Sequence, residues 1–447
     1  MPGSRAIDST EGAHSPDKFE QVALAAAVAA YAPAASLAVP KSPWRPTRTR
    51  IALGICALFA AVLGVAYTQK DQYTDRAADF SRDLIGDENT AKIEAKYFLF
   101  QDKLDQVKFK VLGGRTNPFD LNSAVFEYVP ALPARTVLVD VSVAPHTTVL
   151  AIPSFFKFQE LEFPKTKPLR DSLEQGEGVW STVGLPRTTA NDLVMAKTFI
   201  RPDKSRPYAL VGVLLVDQRR IGLHMVGGTA DPGGDVGVKG PGTIPQEDLK
   251  NLLVAWNGGF KGPHGSFGMV ANGKTYRPLR NGLATIAVTK DGAVKIGEWG
   301  RSLAMEEGMV AVRQNAVLLV DNCEVSKRTA EGNDTWGYVQ VNSAEFITWR
   351  SAIGLTKDGN LIVASGNSLS AATLANALWA AGACTAMQLD INNPYVLTSL
   401  YFPQPDGNLK AERFMDSMPD SPTRFFKTQE RDFMYLTIDD ARFANYR

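Results

Sequence analysis

Residues 368–393 read SLSAATLANALWAAGACTAMQLDINN, and the fold class turns on how this stretch divides. Ser368 or Ser370 supplies an N-cap, apolar residues follow at helical spacing, and Gly382 offers a stop. Beyond the glycine, ACTAMQL is an apolar run of strand length that ends in Asp390, Asn392 and Asn393. The spacing predicts a helix, a tight turn and a buried strand, with a carboxylate delivered to the strand end, where a sheet leaves room for a site. Residues 243–256, TIPQEDLKNLLVAW, invite the same reading: Thr243 as cap, Pro245 and acids in the first turn, then Asn257 after an apolar run. Two helix-to-strand units are expected.

Three turn dipeptides stand between strand-like flanks: Asn272-Gly273, Asp291-Gly292 and Asp358-Gly359. A tight hairpin turn needs positive φ, which Asn, Asp and Gly accept, so each marks a β-hairpin. The expected class is α+β: a mixed or antiparallel sheet domain with hairpins and a few helices, preceded by one transmembrane helix.

That helix is read from Ile51–Tyr67, IALGICALFAAVLGVAY, an uncharged run at the short end of what crosses a bilayer. Lys41, Arg45, Arg48 and Arg50 precede it, whereas Lys70 and Arg76 beyond it are offset by Asp71 and Asp75. The charge bias puts the N-terminus in the cytoplasm and the rest on the periplasmic or extracellular side of an inner or plasma membrane. The long preceding tail favours an uncleaved anchor over a signal peptide. Val22–Val39 is Ala-rich but broken by Pro33, and reads as part of a disordered cytoplasmic tail. The expected organisation is tail (1–47), membrane helix (48–68), a membrane-proximal region (69–190) and a main domain (191–447). Within the third part, Asp79–Val111 suggests a stalk or docking helix, Ala124–Phe163 strands, and Lys165–Val183 a linker.

The 447 residues, 45% of them apolar, can bury a large core, and a formal charge of +1 with no basic patch excludes a nucleic-acid surface. GMVANGKT, residues 268–275, matches the spelling of a phosphate-binding loop, but TYRP follows where a helix must begin, so no nucleotide is expected. No metal-ligand spacing or cofactor fingerprint appears. Cys323 and Cys384 are open to two readings, a disulfide in an oxidising compartment or two buried thiols.

Three positions invite chemistry. Arg350 is the one charge in the strand-like FITWRSAIGL, and must find a carboxylate, a phosphate or water. Asp390 at the rim of an apolar pocket suits a nucleophile or base at a sugar carbon, beside Gln388 and Asn392. His264 stands in the glycine-rich NGGFKGPHGSFG, where backbone can approach a ligand closely.

The elements GLHMVGGTADPGG, AWNGGFKGPHGSFGMVANGK, GLATIAVTKDGAVKIGEWG, VRQN, WRSAIGLTKDGNLIVASG and TLANALWAAGACTAMQLDIN occur in that order over residues 193–402. Together they resemble the phosphodiester glycosidase family. The resemblance implies Asp390 and Arg350 as catalytic residues, Arg350 contacting the substrate anion, and a site loop at Asn257, Gly258 and Gly259; His264, Gln388 and Asn392 are expected as further substrate contacts from their own places in the sequence. One departure is visible: better-known members follow Leu-Asp with a Gly-Gly-Gly-Ser run, whereas this chain has Ile391-Asn392-Asn393-Pro394. Close backbone approach is lost there and two amides are gained. The expectation is a membrane-anchored hydrolase of a glycosyl phosphodiester in envelope or extracellular polysaccharide, with no cofactor. A non-catalytic glycan-binding or exopolysaccharide-assembly protein is the alternative.

Overall fold

The computed structural model of the chain describes residues 80–82, 84–113, 117–119, 161–189, 192–337 and 346–444. The expected tail, the apolar run 51–67 and the strand-like stretch up to residue 160 lie outside them. Among the described residues no helix is long and apolar enough to cross a membrane.

Three sheets make the domain, with strands numbered along the chain. The first runs β1 (Met195–Ile200), β2 (Val211–Val216), β13 (Leu361–Leu369), β12 (Thr348–Thr356), β14 (Ala383–Ile391), β10 (Leu318–Asp321), β11 (Glu324–Val325). The second runs β16 (Leu409–Arg413), β15 (Thr398–Pro403), β4 (Leu252–Asn257), β17 (Phe433–Ile438), β3 (Ile221–Val226). The third runs β6 (Lys274–Arg277), β5 (Met269–Ala271), β9 (Met309–Asn315), β7 (Ala284–Thr289), β8 (Val294–Glu298). Neighbours in all three pair antiparallel, and the consecutive ones, such as β1 with β2 and β7 with β8, are joined as hairpins. The three expected hairpins form, and Asn272, Gly273, Gly292 and Gly359 all have positive φ.

The first sheet is buried on both faces. Ile353 of β12 joins the core shared with the other sheets, which contains Trp256 and Phe433. Its neighbour Ala352 faces the other way, into a second core with Leu374 and Leu378. Those two leucines belong to the helix expected after Ser370, Ala371–Ala380. A capping box starts it: the Ser370 hydroxyl accepts from the Thr373 N–H at 3.1 Å, and the Thr373 hydroxyl accepts from the Ser370 N–H at 2.9 Å. Gly382 at φ 95° ends it and turns the chain into β14.

The first of the two helix-to-strand units is a correction. Residues 243–251 make turns and one short 3-10 segment, Leu249–Asn251, before β4. The five residues Leu252–Trp256 are all fully buried, so the run is a strand covered on both faces rather than one face of a helix. The expected linker is also more than a tether. Glu177 and Ser181 bridge to β1, and Glu177 forms a buried ion pair with Arg201 at 2.7 Å.

Ahead of the domain, a helix at Asp87–Leu112, designated α1, fulfils the expectation of a docking helix. The Phe98 ring meets Phe346 edge-on at 5.8 Å. Asp102 accepts from Arg206 and from the Tyr208 hydroxyl, both at 3.0 Å, and Asp105 from Asn367 at 3.2 Å.

Cys323 and Cys384 form a disulfide, which settles the open reading. The bridge closes a loop across 61 residues, from the β10–β11 turn to the start of β14. Chain entropy for such a loop corresponds to about 4 kcal/mol. Reduction with dithiothreitol should lower the denaturant midpoint of the purified protein accordingly, and a Cys384→Ala variant should show no further change on reduction.

Candidate active site

β14 brings Asp390 to the position before its last residue, where the Asp390 N–H donates to the Gly258 carbonyl at 2.9 Å. Asp390 is 6% exposed. Its Oδ2 accepts from Arg431 Nη1 at 2.5 Å and its Oδ1 from the Ile391 N–H at 2.9 Å. Burial pushes the Asp390 carboxyl above the ordinary carboxylate range; Arg431 and the Ile391 N–H pull it back, while nearby Asp432 adds to the rise.

A narrow cleft, about 40 Å³, opens on this carboxylate. Arg431, Tyr395 and Asn392 form one wall, with the Arg431 guanidinium stacked 3.4 Å over the Tyr395 ring. Phe260 and His264 come from the loop after β4. The N-terminal helical region also lines the cleft, through Ala91, Arg82 and Glu94, the last two ion-paired at 3.1 Å.

Of the residues expected at the site, Asp390, His264 and Asn392 line this cleft. Asn257 stands behind it. Its amide donates to Ser351 Oγ at 2.9 Å, and Ser351 Oγ donates to the Asp390 carbonyl at 2.8 Å, so Asn257 holds the backbone that carries the acid. Gly258 and Gly259 serve close packing. A Cβ on Gly258 would lie 2.1 Å from Asp432 Oδ2, and one on Gly259 2.7 Å from the Arg313 guanidinium carbon. Asn392 takes positive φ, 74°, and its side chain accepts from Thr348 Oγ1 at 2.8 Å.

Arg350 and Gln388 are corrections. Arg350 is 1% exposed and donates to the carbonyls of Leu369, Trp336 and Phe346 and to Gln388 Oε1. The Gln388 amide in turn donates to the Trp336 carbonyl at 2.7 Å. Both side chains brace the backbone beneath the cleft, and the guanidinium faces carbonyls instead of a substrate anion.

The glycine loop itself rests on a buried ion pair. Arg313 of β9 donates to Asp432 through Nε at 2.9 Å and Nη2 at 3.0 Å, with the side chains 0% and 2% exposed. The Asp432 carboxylate also accepts from the Gly259 N–H at 3.1 Å, and its carbonyl from the Gly258 N–H at 3.0 Å. Next in sequence to Arg313, Gln314 and Asn315 are fully buried, and Asn315 donates to the Gln388 carbonyl at 2.8 Å. The VRQN element therefore ties the third sheet to β14, the strand that carries Asp390, and to Asp432 just ahead of β17.

An acid on a strand end, a glycine loop packed behind it and the buried VRQN network occupy the segments that carry the resemblance. Residues 250–390 match the phosphodiester glycosidase family. Asp390 closes the matched segment, whereas Asn392, Tyr395, Arg431 and Glu94 lie beyond the phosphodiester glycosidase match. Among solved structures, the chain is similar to the zebrafish N-acetylglucosamine-1-phosphodiester alpha-N-acetylglucosaminidase catalytic domain, at 18% identity and a TM-score of 0.34, covering 57% of this chain and 86% of that one. It is also similar to a hypothetical protein from Synechocystis, at 13% identity and TM-score 0.31, covering 55% of this chain and 62% of that one. A putative exported protein from Burkholderia pseudomallei follows at 12% identity and TM-score 0.24, covering 51% and 74%. No curated protein matches the chain.

Breaking the Arg313–Asp432 pair leaves one buried charge uncompensated. Arg313→Met and Asp432→Asn should each cost about 3–5 kcal/mol in denaturant unfolding. The double variant should lose less than the sum of the two, because no unpaired charge remains.

Proposed function

We propose that the chain is a hydrolase that cleaves a glycosyl phosphodiester in envelope or extracellular polysaccharide, held at the membrane by residues 51–67 with its N-terminus in the cytoplasm. The observation that carries this reading is the buried Asp390–Arg431 pair facing a cleft at the end of the phosphodiester glycosidase region. Arg431 provides positive charge for the phosphodiester, the role that Arg350 is too buried to fill, and His264 lines the same cleft.

Asp390 attacks the anomeric carbon or takes a proton from the attacking water. The bond from that carbon to the phosphoryl oxygen breaks, and the phosphate departs as a monoester with the electron pair. Such a leaving group reduces the need for a strong general acid. Where Asp390 attacks, Glu94, a second carboxylate at the cleft, takes a proton from the water that then breaks the ester between the anomeric carbon and Asp390 and frees the carboxylate.

The test is release of sugar from an α-linked N-acetylglucosamine phosphodiester and from envelope polysaccharide by the full chain in detergent. Asp390→Asn should lower release about a thousandfold or more. Glu94→Gln should lower kcat about a hundredfold with little change in KM. Folded wild-type protein that retains glycan without releasing sugar would instead identify a glycan-binding or exopolysaccharide-assembly protein.

The pH profile follows from the direction of the Asp390 shift. A raised carboxyl stays protonated to higher pH, so the ionised form needed for attack appears only as pH climbs through that raised value. The acid limb of kcat/KM should lie above the ordinary carboxylate range. Arg431→Ala removes the cation that favours the ionised form and should move the limb to higher pH still.

A further inference from the structure

Helix α1 has two apolar faces. One is docked on the domain through Ala91, Phe98, Asp102 and Asp105, as described above. Along the helix, Ile93, Tyr97, Phe100, Leu104, Val107 and Val111 recur at alternating spacings of four and three residues, with Tyr97 packed against the second core and Phe100 and Leu104 half-buried. Such spacing draws one continuous stripe along a helix.

Its exposed members are Ile93 at 36%, Val107 at 56% and Val111 at 73%, the last two at the C-terminal end, with Tyr97, Phe100 and Leu104 half-buried between. Of the thirteen large apolar side chains that stand exposed among the described residues, seven fall between Phe80 and Leu112. A concentration of this kind marks a surface that something covers.

Charge says what covers it. The acids Asp102 and Asp105 turn inward to Arg206, Tyr208 and Asn367. Lys96, Lys103 and Lys110, seven residues apart, run along one flank of the stripe and are exposed. A second copy of α1 would set these lysines against Gln101 and Lys108 in a parallel pair, or against one another in an antiparallel one. An anionic bilayer surface accepts both the lysines and the apolar stripe.

We propose that α1 lies on the membrane, its exposed Ile93, Val107 and Val111 in the headgroup boundary and Lys96, Lys103 and Lys110 on anionic lipid phosphates. The inference rests on the anchor proposed for residues 51–67, which delivers α1 to the same bilayer.

The test uses the full chain with Val107→Cys in a Cys56→Ser background, nitroxide-labelled at residue 107 and reconstituted into phosphatidylcholine vesicles with or without phosphatidylglycerol. Flotation with the vesicles reads the anchor; accessibility of the label to oxygen against a water-soluble nickel chelate reads α1. The expected result is a lipid-shielded label in the phosphatidylglycerol vesicles, with each of Lys96→Glu, Lys103→Glu and Lys110→Glu reducing the shielded population roughly fivefold or more.

A label open to the nickel chelate in both vesicles, with the chain still floating, overturns the proposal and leaves the anchor standing. Failure to float overturns both. Dipolar broadening between labels, without lipid shielding, overturns the proposal in favour of a second copy.

Discussion

The Arg313–Asp432 pair is the constraint on which the site depends. It joins the third sheet to the start of β17 in the second, and it is fully desolvated, so neither partner can leave without stranding the other. Because Asp432 also receives the Gly258 and Gly259 N–H groups, the pair fixes the height of the glycine loop. That loop in turn receives the Asp390 N–H, and Arg431, the neighbour of Asp432, holds the Asp390 carboxylate. One ion pair thus sets both the backbone and the counter-charge of the acid. Burial beside Asp432 keeps Asp390 readily protonated, and Arg431 keeps it ionisable.

Much of this was legible in the sequence, for local reasons. The three hairpins announced themselves through dipeptides that accept positive φ, and the helix ending at Ala380 through a capping serine and a glycine stop. Asp390 was visible as the first acid after an apolar strand, and His264 as a polar side chain in a glycine-rich loop. Residues 243–251 misled because a cap, a proline and early acids describe a turn as well as a helix start. The discriminating signal was the consecutive burial-prone run LLVAW, which suits a strand covered on both sides.

The rest was not legible because it is non-local. Arg350 was rightly singled out as a charge that must be satisfied, but sequence does not show whether a carbonyl or a ligand satisfies it. Arg431 sits in the polar run TQERD ahead of β17, where nothing distinguishes it from a solvated arginine. Glu94 reaches the cleft only because α1 is pinned to Arg206 and Asn367, over a hundred residues away. The VRQN element was visible as part of a resemblance; its burial, and the strands it joins, needed the fold.

The disulfide acts at the far end of the strand that carries Asp390. Cys384 and Asp390 both belong to β14, one near its beginning and the other near its end, so this strand is clamped twice, by sulfur at one end and by the Gly258 carbonyl at the other. Side chains alternate along a strand, and a slip of one residue would turn Asp390 away from the cleft and put Leu389 or Ile391 in its place. Central strands rich in small residues, as ACTA is, offer little side-chain relief to resist such a slip. Here the covalent bond works as an alignment pin at one end of β14, adding to the β12 and β10 pairings that keep Asp390 turned into the cleft at the other end.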